Sequence, residues 1–537
     1  MSISQNPPDP PSHLEPACII SAINLNWPPM STPNAAPTQA CDVLVVGGGV
    51  NGAGIARDAA GRGLSVLLCE KDDIGAHTSS ASTKLIHGGL RYLENYEFSL
   101  VRKALQEREV LIRAAPHIIW PLRFVMPHDA HLRPAWMIRI GLFLYDHLAK
   151  RELLPGSNGV DLKRHPAGAP LDPHFRRGFE YSDGWVQDAR LVLLNAIDAR
   201  RRGADIRLHT RCLAARRVAE GWQVRLAGPD GEVREVAARI LVNAAGPWVG
   251  RFLDQAIGLG TERSVRLVKG SHIVVPRQFD HDYAYIFQNP DKRIIFAIPF
   301  EDDFTLIGTT DMEFEGDPDA VAIAGDEIDY LCEMTNRYFR RHIAPADVVW
   351  SYSGVRPLLD DETGDPSEVT RDYSLELDTR GAPLLSVFGG KLTTFRRLAE
   401  DAVDLLQPLV GRRVAPWTAG AVLPGGNLPG GGLKEYEACL KRDHPWLPTA
   451  LARRWACTYG TRSAEIIGVA ASADDLGEEV LPGLHACEID YLVREEWAAD
   501  SDDILWRRTK LGLRASKTDE ARLIRWLSDH QPNRTGE

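Results

Sequence analysis

The sequence predicts an α/β chain with a split Rossmann-like nucleotide domain, an antiparallel-sheet domain laid over it, and a helical C-terminal domain. Three observations predict this. A strand–glycine turn–helix–strand unit occupies residues 42–70. A second apolar strand returns far downstream, at 237–248. Beyond residue 410 the hydrophobic period becomes helical. With 537 residues and 44% hydrophobic composition, the chain can bury several cores without disulfides or structural metals. A formal net charge of −11 makes the whole molecule a poor partner for nucleic acid. Eight cysteines are scattered without a C-x-x-C pair, so no zinc site and no disulfide framework is predicted. Reduced thiols in a cytosolic compartment fit best.

Residues 1–40 are rich in Pro, Ser and Asn and contain neither Lys nor Arg. They read as a disordered leader, and they lack the features of a secretory signal or an Arg-rich presequence. No apolar run approaches the ~20 residues that span a bilayer.

Asp42-Val-Leu-Val-Val46 has the all-apolar character of a strand covered on both faces. It runs into Gly47-Gly-Gly-Val-Asn-Gly52, a G-x-G-x-x-G turn, and then into a helix through Ala60. Gly47 permits the tight turn. Gly49, with Asn51 beside it, lets a pyrophosphate approach the backbone, and Gly52 lets the helix pack on the strand. The helix N-terminus offers unpaired N–H groups to the phosphates. Glu70 ends the next strand, about 20 residues on, where an acid accepts from a ribose diol. That favours FAD or NAD over a phosphorylated ribose. The late strand Ala237–Trp248, ending in the small-residue turn that contains Gly246, resembles the strand that returns to the flavin in two-domain flavoproteins. It tips the choice to FAD.

Five motifs then carry a closer resemblance. They are Ser79-Ser-Ala-Ser-Thr-Lys-Leu-Ile-His-Gly-Gly-Leu-Arg-Tyr-Leu93, Lys269-Gly-Ser-His-Ile-Val-Val-Pro276, Ile307-Gly-Thr-Thr-Asp311, Tyr352-Ser-Gly-Val-Arg-Pro357 and Phe388-Gly-Gly-Lys-Leu-Thr-Thr394. Their order and content resemble the FAD-dependent, quinone-linked glycerol-3-phosphate dehydrogenases, from about residue 41 to about 530. The resemblance implies a two-domain flavoprotein with non-covalent FAD. The activity it implies is hydride transfer from C2 of sn-glycerol 3-phosphate to flavin N5, giving dihydroxyacetone phosphate, with electrons passed to a membrane quinone. It also implies peripheral association with the inner face of the cytoplasmic membrane. A homodimer is compatible with the sequence and not fixed by it.

On this resemblance, the FAD segments are about 41–125, 180–265 and 350–400, with substrate or cap segments at about 126–179 and 266–349. The helical domain covers 410–530, with a linker-like stretch at Leu423–Gly432 near its start. The substrate phosphate needs fixed cations, and Arg91, Arg356 and Lys391 stand in the motifs expected near the flavin ring. Tyr92 either donates to a substrate oxygen or is packed as core. The C2 hydroxyl proton needs an acceptor. His272 is the first candidate and His87 the second, with Arg356 or water as the remaining choices. Ser79, Ser80 and Thr83, beside Lys84, suit contacts to the flavin pyrophosphate or ring. Gly390, Lys391, Leu392 and Thr393 suit the other side of the cofactor. Thr309, Thr310 and Asp311 are expected to line the substrate domain without a catalytic role. No metal is expected. His77 and Cys69 could tether a flavin, but the resemblance does not imply it.

Two competing activities share these motifs: a glycerol-3-phosphate oxidase using oxygen, and an amine or amino-acid oxidase of the same superfold. Leu132–Lys150 reads as a helix with Arg139, Asp146 and Lys150 on one narrow stripe and an apolar remainder. It is either a buried helix with one wet edge or a helix that dips into a membrane with its cations at headgroup level.

Overall fold

The computed structural model describes residues 39–530 apart from 94–95, 130–131, 261–264, 292 and 360–371. The expected leader therefore lies almost wholly outside the described residues.

The first sheet is built around Ala40–Val46, whose residues Val43 to Val46 are buried. It pairs in parallel with Val66–Cys69 on one side and with the returning strand Val233–Asn243 on the other. Leu384–Gly389 extends the sheet in parallel, and Tyr373–Asp378 closes that edge as an antiparallel partner. Asp205–Arg207 closes the opposite edge. Helices Val50–Gly61, Asp188–Arg201 and Phe395–Leu406 pack on one face through Ala53, Ala56, Leu191, Leu194, Leu398 and Val403. The other face carries a meander of Arg211–Val218 and Gly221–Ala227, anchored by the buried Trp222. The three sheet segments are far apart in sequence, as a split nucleotide domain requires.

The second sheet has ten strands and is almost entirely antiparallel. Its long pairs are Ile119–His128 with Arg177–Val186, and Val265–Pro276 with Trp350–Leu359. Long stretches of these strands, such as Tyr181–Val186 and Gly270–Val275, are buried continuously, as in a sheet covered on both faces. Two expected boundaries are corrected here. Trp350–Leu359, grouped by sequence with the FAD segments, pairs along its length with Val265–Val274 in the second sheet. The breaks expected near 125 and 180 fall inside two strands that pair from Ile119 opposite Val186 to His128 opposite Arg177.

The C-terminal region has its own core of Trp455, Tyr459, Tyr491, Leu492, Leu523 and Trp526. It is helical, with one short hairpin, Glu479–Leu481 with Leu484–His485. The glycine-rich stretch before it is not a free tether. Gly425 has φ +89°, and a Cβ there would meet the Tyr459 carbonyl oxygen at 2.2 Å. Leu423 N–H donates to Ala114 O, and Thr461 N–H donates to Gly425 O. Its glycines allow the strap to press against the helical domain.

The apolar segment near residue 140 forms the helix Ala135–His147. Two residues of its polar stripe bond to Ser157: Arg139 donates to Ser157 O and Oγ at 3.0 and 2.9 Å, and Asp146 accepts from Ser157 N and Oγ, while Lys150 stays exposed. Arg139 is therefore tied back to the protein by Ser157, although the residue stays exposed. Trp136, Ile140 and Phe143 are instead 63%, 51% and 55% exposed, on a face no other described element covers. The buried-helix alternative is thereby excluded. Among the described residues no helix is long and apolar enough to cross a membrane.

Candidate active site

A cavity of about 620 Å³ runs along the carboxyl ends of the parallel strands and under the second sheet. Its size suits a cofactor and small substrate. Gly47, with φ +109°, makes the turn: a Cβ there would meet Ala244 O at 2.5 Å. Gly52 lies behind the turn, where a Cβ would meet Gly47 O at 1.9 Å, so the helix sits directly on the strand end. Gly49 and Asn51 line the cavity, and Asn51 Nδ2 ties the turn to Gly389 O at 3.2 Å. The helix begins at Val50, with Gly49 giving no side-chain cap. Val50 N–H donates to Ser79 Oγ at 3.0 Å, which brings the Ser79 loop over the phosphate-sized space. At the far end Glu70 is buried, accepting from Gly48 N at 2.6 Å and Asp72 N at 2.9 Å. Cys69, Thr210, Arg211 and Gly246 complete this half. The open glycine turn, the helix start with no side chain at its N-cap, and the terminal acid fit a dinucleotide.

The other half is cationic and hydroxylic. Arg356 pairs with Asp311 and donates through Nη2 to Thr309 Oγ1 at 3.2 Å. Its guanidinium lies over Gly270, where a Cβ would meet Nη2 at 2.4 Å. Lys391 Nζ sits 3.7 Å from the Tyr92 ring centroid, a cation–π contact. Gly390, Leu392 and Thr393 share the wall. His87 also faces the cavity, and its backbone N–H donates to Thr393 Oγ1 at 3.2 Å. Arg91 lies in the short turn Leu90–Leu93 beside them. Its side chain is outside the described residues.

Three expectations are corrected. His272 is not in the cavity wall. It is buried, stacked on Tyr352 with ring centroids 4.8 Å apart and interplanar angle 13°, and Thr83 stands between it and the cavity. Burial first, then the Arg356 and Lys84 charges, holds its pKa well below the usual imidazole value. Lys84 has φ +60° and turns into the interior, where Nζ pairs with both Asp188 oxygens at 2.8 and 2.9 Å. Ser80 faces away from the main cavity, its hydroxyl donating to His77 O at 3.2 Å.

Sequence reasoning missed Asp183 and undervalued Asp311. Asp183 is buried in the wall near His87. Its Oδ1 accepts from Arg108 Nη1 at 2.6 Å, Tyr145 O–H at 2.7 Å and Gly88 N at 3.4 Å. Burial raises its carboxyl pKa, with Arg108 pulling the other way. The signal for it is a lone acid inside the buried run Tyr181–Val186.

The family model described as FAD dependent oxidoreductase matches residues 42–396. That for the C-terminal domain of alpha-glycerophosphate oxidase matches 417–524. Among curated proteins, a glycerol-3-phosphate dehydrogenase of Pseudomonas aeruginosa is 54% identical over 508 residues, 94% of this chain and 98% of that protein. A D-erythritol 1-phosphate dehydrogenase of Brucella abortus is 50% identical, over 92% of this chain and 99% of that one. Among solved structures, the glycerol-3-phosphate dehydrogenase of Bacillus halodurans complexed with FAD superposes with a TM-score of 0.74 at 26% identity. That match covers 92% of this chain and 90% of the other.

Proposed function

Since this chain belongs to the family of FAD-dependent glycerol-3-phosphate dehydrogenases, we propose that it oxidises sn-glycerol 3-phosphate at C2 to dihydroxyacetone phosphate and delivers the electrons to a membrane quinone. The observation that carries the reading is the cationic half of the cavity, where Arg356 and Lys391 line one chamber with the nucleotide cradle. FAD, when bound, supplies the hydride acceptor.

The protein's own groups do the rest. Arg356 and Lys391 hold the phosphate dianion, and Arg91, on the turn Leu90–Leu93, is proposed as a third cation. Asp311 and Thr309 fix the Arg356 fork in one orientation, so little side-chain freedom is lost on binding. The Tyr92 ring holds the Lys391 ammonium. His87 takes the C2 hydroxyl proton, since His272 is screened from the cavity by Thr83. Asp183 holds Gly88, and hence the His87 loop, against the wall.

Membrane delivery is supported by the uncovered apolar face of Ala135–His147, which suits the interfacial layer of the inner leaflet of the cytoplasmic membrane.

Glycerol 3-phosphate added anaerobically to the holoenzyme should bleach the flavin absorbance, whereas amines and amino acids should not. Reoxidation should reduce a soluble quinone analogue with little peroxide. Stoichiometric peroxide would instead assign the oxidase reaction. The four-carbon relative motivates a second assay with D-erythritol 1-phosphate. A higher kcat/KM on that compound would move the substrate assignment.

A further inference from the structure

Buried His272 and half-buried Thr83 form a hydrogen-bonded pair that no catalytic step above uses. His272 Nε2 lies 2.9 Å from Thr83 Oγ1. Its Nδ1 is buried and has no hydrogen-bond partner. The ring cannot turn to find one, because it is stacked on Tyr352 and packed on Gly308, where an added Cβ would meet Cδ2 at 2.2 Å. Thr83 lines the cavity and His272 does not.

A neutral imidazole carries one N–H and one bare nitrogen. The bare nitrogen belongs at Nδ1, because an orphaned buried N–H is the rarer and costlier fault. Burial and the charges of Arg356 and Lys84 keep the ring neutral. Nε2–H then donates to Thr83 Oγ1. The Thr83 hydroxyl proton is pushed away from His272 and toward the cavity.

We infer that His272 is a positioning residue that fixes Thr83 as a hydrogen-bond donor to an acceptor atom of the flavin ring system. This rests on FAD binding and not on the identity of the substrate. A change in the bound flavin's spectrum can therefore be read even if the substrate assignment fails.

The test uses FAD-loaded protein and the visible absorption spectrum of the bound flavin. Thr83→Val should displace the absorption maximum, and Thr83→Ser should restore it. His272→Leu should give the Thr83→Val displacement, and the double variant should go no further than either single change. His272→Gln, which keeps a donor N–H, should hold the wild-type spectrum and covers the case in which His272→Leu fails to fold. With glycerol 3-phosphate, kcat/KM should fall about tenfold in Thr83→Val, as expected for one lost hydrogen bond. Histidine ring ¹⁵N shifts should show an Nε2–H tautomer that is missing from His272→Gln. An unchanged spectrum in Thr83→Val, full additivity of the two changes, or an Nδ1–H tautomer would overturn the inference.

Discussion

Arg508 and Asp73 form a two-armed ion pair, Nη1 to Oδ2 at 2.5 Å and Nη2 to Oδ1 at 2.8 Å, buried between the C-terminal helical domain and the loop after the second strand of the nucleotide sheet. Arg507 reaches the same carboxylate at 2.6 Å. Arg508 also donates to the Glu496 carbonyl, and the Glu496 side chain pairs with Arg190 on the helix Asp188–Arg201. The helical domain therefore clamps the loop that follows Glu70, at the ribose end of the cavity.

Removing one partner of this clamp leaves a buried charge unpaired. Arg508→Ala should destabilise the protein by about 3–5 kcal/mol, whereas surface changes such as Arg234→Ala should stay within about 0.5 kcal/mol. Thermal melting of the FAD-loaded variants checks this. An unchanged melting temperature in Arg508→Ala would mean that the clamp carries no stability.

The clamp also sets an acid limit. Burial pushes the Asp73 carboxyl up, but Arg508 and Arg507 outweigh it and hold the pKa at about 2, below the usual 3.8. A depressed carboxyl contributes its stability above its unfolded pKa and loses it as pH falls through the folded value. The contribution, about 2 kcal/mol, should be intact above pH 4 and vanish progressively toward pH 2. Asp73→Asn should flatten that part of the pH–stability curve. An equally steep acid loss in the variant would assign the effect to other groups.

Of the architecture, what local residues dictate is legible in the sequence. The glycine turn, the buried strand before it and Glu70 lie within one short stretch, and the fold brings them together at the end of the cavity. His87, Tyr92, Arg356 and Lys391 do meet in one cavity. What fails depends on distant partners. Lys84 looks like a cofactor contact until Asp188, about a hundred residues on, takes its ammonium. His272 sits on the same strand face as Gly270, yet the Thr83 loop covers it, and strand alternation cannot reveal that. Trp350–Leu359 joins the second sheet because Val265–Pro276 offers it a ten-residue partner, a choice invisible in either strand alone.

The orientation of Arg356 depends on Asp311. Arg356→Ala should raise KM for glycerol 3-phosphate about 10- to 100-fold while FAD stays bound, the scale of a lost charge-assisted phosphate contact. Asp311→Asn should give a smaller rise in the same direction. Steady-state kinetics with flavin content measured in parallel separates this from cofactor loss. A normal KM in Arg356→Ala would remove the residue from the phosphate site.

The exposed face of Ala135–His147 should bind vesicles. Replacing Trp136, Ile140 and Phe143 together by Ser removes about 1.5 kcal/mol or more of apolar burial each. Sedimentation with anionic vesicles should fall on the order of 100-fold or more while the melting temperature holds. Unaltered sedimentation would locate membrane contact elsewhere.

The flavin should come free on acid precipitation. Cys69 is buried beside the cavity, and burial raises its thiol pKa well above the ordinary value, so it offers no thiolate for attachment. Yellow colour retained in the washed precipitate would show a covalent link.

The decisive experiment compares anaerobic flavin bleaching by glycerol 3-phosphate and by glycerol in one stopped-flow series. If the Arg356 and Lys391 chamber steers a phosphorylated alcohol, the phosphate ester should bleach the flavin with saturation and glycerol should do so only at far higher concentration. Equal bleaching by the two would show that the cations play no part in presenting the substrate.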